Sequence, residues 1–207
     1  VVPTMLISTR NIEELIEALE VRFLANRDDS LHFALLTDFR DAQEEMLPED
    51  GPLLLLAQQR IEELNEKYKG LTNDAFFLFH RPRRWNPRDR IWMGYERKRG
   101  KLAELNSFLR GRAAPSPSPS PSRGGDKGEG DVNGKTTDGV NSNPGNHFSL
   151  IVGNTEILSN VKYVITLDTD TQLPRDAAWQ LVGAMAHPLN RAQYDKDRQR
   201  VVAGYGI

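Results

Sequence analysis

Apolar side chains recur along the chain in two alternating rhythms. Residues 1–8 open as a short strand-like run, and residues 11–24 follow with Ile12, Leu15, Ile16, Leu19 and Phe23 at helical spacing, with Asn11 or Thr9 as the cap. A second strand is predicted over 31–37, ending at Asp38. A second helix is predicted over 53–68, with Leu54, Ala57, Ile61, Leu64 and Tyr68 on one face and Gly70 as its stop. Residues 75–80 read as a third strand and 101–109 as a short helix with Leu102, Leu105 and Leu109 in phase. Further on, 163–167 has buried-strand character, 174–186 a helical pattern with Pro174 in its first turn and Asp176 nearby, and 201–206 the start of another strand. This βαβαβ…αβα alternation predicts an α/β fold, a mixed sheet with flanking helices.

Residues 113–147 break the pattern. This stretch holds 5 of the 12 prolines and 7 of the 16 glycines and almost no large apolar side chain, so it has nothing to build a core from. Pro-Ser alternation over 115–122 favours extended polyproline-like backbone, and the Gly, Asp, Asn and Ser that follow favour coil. It reads as a disordered low-complexity insertion within a single domain spanning 1–207, or as a linker. The 60 residues after it would make a very small independent domain, which favours the insertion.

Composition narrows the function classes. The chain has 207 residues, 38% hydrophobic and 27% charged, with a formal net charge of −2. Its greasiest short run, 53–57, is cut off by Gln58 and Arg60, far short of a membrane span. Both ends read as strand-like sequence without an initiator Met or signal segment, as expected of a fragment of a longer protein. The absence of cysteine excludes disulfides, thiolate zinc sites and a cysteine nucleophile. The small net charge conceals a net −7 over 41–66 and a net +8 over 80–112. So dense a basic block suits a phosphate-rich partner, or else balances the acidic block across a solvated surface.

Candidate chemistry begins at Asp168-Thr169-Asp170, where a buried apolar strand ends abruptly in two carboxylates. At the carboxyl edge of an α/β sheet such a pair suits Mg²⁺ or Mn²⁺ held together with substrate phosphates. The alternative is that Asp168 and Asp170 only turn the chain and cap the next helix. Arg97-Lys98-Arg99-Gly100-Lys101 offers glycine and lysine at a helix start, an anion-accepting arrangement, or else an exposed basic loop. Asp38 and Asp41 follow the second strand, where they either accept hydrogen bonds from a base or ribose or serve as loop carboxylates. Trp85, Trp92 and Tyr95 suit stacking on a sugar or base, or core packing. His32, His80, His147 and His187 lack ligand spacing. Dinucleotide-binding, P-loop, zinc-protease and serine-hydrolase signatures are absent.

Long ordered strings carry a resemblance. Residues 1–6 (VVPTML), 31–39 (LHFALLTDF), 77–83 (FLFHRPR), 92–102 (WMGYERKRGKL), 164–176 (VITLDTDTQLPRD) and 185–190 (MAHPLN) resemble the glycosyltransferase domain of cyclic β-1,2-glucan synthases. The resemblance covers nearly the whole chain apart from 113–147. It implies a GT-A-like (Rossmann-like) fold within a large membrane-embedded polypeptide at the cytoplasmic side of the bacterial inner membrane. That enzyme would transfer glucose with inversion from UDP-glucose to a growing β-1,2-glucan acceptor, and no nucleic acid partner is expected. By the same resemblance Asp168 and Asp170 would hold Mg²⁺ or Mn²⁺ against the UDP diphosphate, Asp38 would contact the uridine, and Gly100 and Lys101 would lie near the donor. Asp176 and His187 are poorly placed to act as general base, which is expected after Ile207, so that the fragment alone would bind donor without elongating glucan. The competing expectation is a non-catalytic binding module, a degenerate or truncated copy with a basic anion-binding surface.

Overall fold

The computed structural model describes residues 1–72, 75–111 and 148–204. The predicted insertion at 113–147 lies outside the described residues. In chain order the elements are β1 (Val2–Leu6), α1 (Thr9–Ala25), β2 (Phe33–Phe39), α2 (Asp50–Lys67), β3 (Phe76–His80), β4 (Arg84–Asn86), β5 (Ile91–Met93) and α3 (Arg97–Leu109). After the insertion come β6 (Leu150–Val152), a 3₁₀ turn (Thr155–Asn160), α4 (Ala177–Ala186), β7 (Gln193–Asp195) and β8 (Arg200–Ala203). The main sheet has the order β1-β2-β3-β6, with β1, β2 and β3 parallel and β6 antiparallel to β3.

Helices cover both faces of this sheet, which is why β2 and β3 are apolar without alternation. All seven residues of β2 and all five of β3 are buried. On one face Val2, Leu6, Phe33, Leu35, Phe76 and Leu78 pack against α1 and α2 through Ile12, Leu15, Leu19, Phe23, Ala57, Ile61 and Leu64. On the other, Ala34, Leu36, Phe77 and Phe79 pack against Leu105, Phe148 and Leu158. This is a mixed α/β sheet between two helical layers, the Rossmann-like class expected of the sequence. Ser8 caps α1 by accepting from the Asn11 backbone N–H, a role the sequence pattern assigned to Thr9 or Asn11.

Residues 163–167, expected as a buried strand, are not one: they run beside β1 on the edge opposite β2, parallel to it, through a single rung, and Tyr163 and Val164 are exposed. The Val1 amino group donates to Ile165 O at 2.8 Å and Leu167 N donates to Val1 O at 3.0 Å. Beyond Leu167 the carbonyls of Thr169 and Thr171 turn instead to Arg22 of α1, which ends the ladder before a regular strand can form. The chain therefore leaves β1 on one side to build β2 and β3 and comes back to β1 on the other. This reversal makes a topological switch point, and the crevice at the carboxyl ends of its strands is where open α/β sheets bind ligands.

Several expectations shift: β2 extends to Phe39 and so includes Asp38, and α2 begins at Asp50. α3 starts at Arg97 rather than near Lys101, so Gly100 and Lys101 lie within the helix. α4 starts at Ala177 rather than Pro174, because Asp176 takes left-handed backbone (φ 61°) and its side chain makes no capping bond. β8 does not extend the main sheet but pairs antiparallel with β7 in a separate hairpin, and residues 205–207 lie outside the described residues. α4 is apolar in sequence yet only Ala178 is buried, and Trp179 is 71% exposed. No described helix is long and apolar enough to cross a membrane.

Candidate functional site

The carboxyl end of β2 delivers Asp38 into a closed nest of charge. Its Oδ1 accepts from Lys101 Nζ at 2.8 Å and its Oδ2 from Arg81 Nη2 at 3.2 Å, and the residue is 2% exposed. Lys101 Nζ also donates to Thr4 O in the middle of β1. Burial lowers the Lys101 pKa from its usual value, and the Asp38 carboxylate works against that shift. Arg81 donates further to Tyr95 O and Arg97 O, at 3.2 and 3.3 Å, and pairs with Glu104 at 3.3 Å. The nest thus fastens the middle of β1 and the carboxyl ends of β2 and β3 to α3. Neither Arg81 nor Glu104 stood out in the sequence, since each sits in a charge-dense stretch where nothing marks a buried member.

Two glycines let the chain close over this nest. A Cβ on Gly94 would lie 2.1 Å from Asp38 Oδ2. A Cβ on Gly100 would lie 2.3 Å from Tyr95 O and 3.1 Å from Arg81 Nη1, so the space beside Gly100 is taken by the protein's own backbone and guanidinium. Glu96 and Arg97, at φ 53° and 45°, bend the backbone into α3.

Asp168 and Asp170 lie on an exposed turn closed by Thr171 N donating to Asp168 O at 3.1 Å. Lys98 of α3 reaches over and donates to Asp168 Oδ1. From below, Arg22 Nη2 donates to Thr169 O at 2.9 Å and Thr171 O at 2.8 Å. Lys98 and Lys101 are three residues apart on α3, so one turn of this helix ties Asp168 and Asp38 to the same element. Hard carboxylate oxygens open to solvent on one side suit Mg²⁺ or Mn²⁺ whose remaining ligands are phosphate and water. Among the described residues no group of three or more His, Asp or Glu is placed to hold a metal ion.

Much of the basic block is neutralised within the chain. Arg83 forms a buried bidentate pair with Asp50 at the start of α2 and donates to Arg40 O at 2.5 Å. Arg97 pairs with Asp41 at 2.6 Å and Arg99 with Glu96 at 2.5 Å. Trp85 and Trp92 face each other across the β4–β5 hairpin at 5.8 Å, and Trp85 and Tyr95 remain substantially exposed. His80 is buried with Nδ1 2.8 Å from Thr37 Oγ1, and its pKa is lowered to about 3, chiefly by burial. His187 caps the 3₁₀ turn after α4 by accepting from Leu189 N, and Asp176 sits exposed beside Arg175. A cavity of about 730 Å³ lies beside the amino-terminal ends of β1 and β2, lined by Val1, Phe77, Phe79, Leu105, Ile157 and Trp179 among others. None of Asp38, Gly100, Lys101, Asp168 and Asp170 borders it.

No protein-family model matches the chain. Along its whole length it is similar to the cyclic beta-(1,2)-glucan synthase NdvB of Rhizobium meliloti (strain 1021), with 37% identity over 207 residues. Those residues are all of this chain and 6% of the relative. The resemblance to cyclic β-1,2-glucan synthases read from the sequence therefore holds, over a short segment of that relative.

Proposed function

We propose that this segment serves β-1,2-glucan synthesis as the donor-binding part of an inverting glucosyltransferase that uses UDP-glucose. One observation carries the reading: the Asp168-Thr169-Asp170 turn follows the segment that pairs beside the start of β1, at the switch point of the sheet, and Lys98 of α3 pairs with Asp168. Asp168 and Asp170 would hold Mg²⁺ or Mn²⁺, and the cation supplies charge neutralisation for the diphosphate leaving group. Lys98, now on Asp168, is within reach of that diphosphate, and α3 presents it. Asp38 lies beneath Gly94 and Lys101, so contact with the uridine requires the backbone over 94–97 to move. Gly100 keeps α3 close enough for Lys101 to reach both Asp38 and the middle of β1.

The acceptor is the growing β-1,2-glucan, and the general base comes from outside the described residues. Asp176 makes a weak pair with Arg175, and His187 is engaged in its own 3₁₀ turn. The rest of a large membrane-embedded polypeptide, at the cytoplasmic side of the inner membrane, supplies the remaining parts, and no nucleic acid takes part. Calorimetry of UDP against the 207-residue chain tests the reading. Binding in Mg²⁺ or Mn²⁺ that chelator abolishes, and that Asp170→Ala removes, is expected. Equal UDP affinity with and without chelator would refute the metal role, and preference for duplex DNA over UDP would favour an anion-binding module.

A further inference from the structure

Arg22 is a charged residue where the helical pattern calls for an apolar one. It follows Leu15 and Leu19 on the inward face of α1 and is 2% exposed. No carboxylate pairs with it among the described residues. Its donors go to backbone carbonyls of a segment 147 to 149 residues away: Nη2 to Thr169 O and Thr171 O, and Nε to Thr171 O at 3.3 Å. Nη1 is buried without a hydrogen-bond partner. Burial lowers the Arg22 pKa from its usual value, as desolvation of an uncompensated cation must. Stability alone is poor grounds for such a residue, because an apolar side chain of similar volume costs less to bury.

Asn26, one turn further on as the C-cap of α1 and 3% exposed, continues the same attachment. Its Nδ2 donates to Leu173 O at 3.3 Å and its Oδ1 accepts from Ala178 N at 3.0 Å, while Asp176 N donates to Ala25 O at 3.1 Å. The last turn of α1 therefore holds both ends of the segment from Thr169 to Ala178. With the carbonyls of Thr169 and Thr171 drawn inward, the side chains of Asp168 and Asp170 are left on the solvent side.

We infer that Arg22, supported by Asn26, is a positioning residue for the Asp168-Thr169-Asp170 turn, setting the geometry in which its two carboxylates share a divalent cation with a nucleoside diphosphate. The inference rests on the donor-binding reading above. Groups that orient metal ligands without touching the metal characteristically control affinity by about 10- to 100-fold. Arg22 acts only on the cation-dependent part of binding, because its contacts are to this turn and not to the Asp38 nest.

The test titrates UDP into the 207-residue chain in Mn²⁺ and in chelator, for the wild type, Arg22→Met, Arg22→Lys and Asn26→Ala. Amide exchange at Thr171 and thermal melts are followed in parallel. Arg22→Met is expected to weaken UDP binding in Mn²⁺ about 10- to 100-fold, to leave residual binding in chelator unchanged, and to speed exchange of the Thr171 amide. Arg22→Lys, which keeps the charge, should recover part of the loss, and Asn26→Ala should show a smaller loss of the same kind. Wild-type Mn²⁺ affinity in Arg22→Met, or an equal loss with and without metal, overturns the inference. If Arg22→Met does not fold, full metal dependence in both Arg22→Lys and Asn26→Ala overturns it. A wild type that binds UDP equally with and without Mn²⁺ overturns the donor-binding reading itself, and fast Thr171 exchange in Arg22→Met would then show the attachment to be structural only.

Discussion

Lys98 on α3 and Asp168 on the turn after 163–167 form an ion pair between two elements of the fold, 70 residues apart in sequence. Both side chains are more than half exposed, so the pair adds at most about 1 kcal/mol to stability. Its interest lies in position: an ammonium sits on the oxygen that the donor-binding reading gives to a divalent cation. Lys98→Met should leave the melting temperature nearly unchanged and raise the affinity for Mn²⁺ alone severalfold, by removing a competitor for Asp168. Electron paramagnetic resonance of free Mn²⁺ measures this, and unchanged or weaker Mn²⁺ binding would show that Lys98 and the cation do not compete.

Asp38 tests the opposite regime, a buried carboxylate with two cationic partners. Asp38→Asn leaves Lys101 without a buried carboxylate partner and Arg81 with Glu104 alone, and should destabilise the fold by about 3–5 kcal/mol in urea unfolding. The double variant Asp38→Asn with Lys101→Met should recover part of that loss, since it removes one orphaned charge. A double variant no more stable than Asp38→Asn would mean that the nest is held by Arg81 alone.

Gly100 inverts a general rule. Alanine in a helix interior is ordinarily better than glycine by about 0.5–1 kcal/mol. Here the new Cβ would meet Tyr95 O at 2.3 Å, and α3 would have to move from the Asp38 nest. Gly100→Ala should therefore lose about 1–3 kcal/mol in chemical denaturation, whereas Gly51→Ala, with open space around it, should not.

His80 couples stability to acid. Its pKa is about 3 in the fold and about 6.5 in the unfolded chain, so between those values the unfolded state takes up a proton that the folded state refuses. The contribution is fully present above about pH 6.5 and is lost as the pH falls towards 3, with a slope of up to about 1.4 kcal/mol per pH unit. Thermal melts of wild type and His80→Gln from pH 7.5 to 4 should converge as the pH falls. Parallel profiles would mean that His80 is not the group responsible.

The periodicity of the chain was enough to determine the layers. Uninterrupted apolar runs at 33–39 and 76–80 require a sheet covered on both faces, and the stripes of α1 and α2 supply one of those covers. The sequence also carried the Asp-x-Asp turn after an extended apolar segment, and the strings that resemble the glucan synthases, because local order and residue identity are properties of the chain itself. Only tertiary structure decided which charges are buried. Lys101, Arg81, Arg83 and Arg22 look alike in a list of basic residues, yet the first three meet carboxylates and Arg22 meets carbonyls. Which side of β1 the 163–167 segment takes, and so where the switch point lies, was equally beyond the sequence, since pairing between residues 1 and 165 leaves no local trace. Period and propensity act over a few residues, whereas the partner of a buried charge is set by whichever element the fold brings beside it.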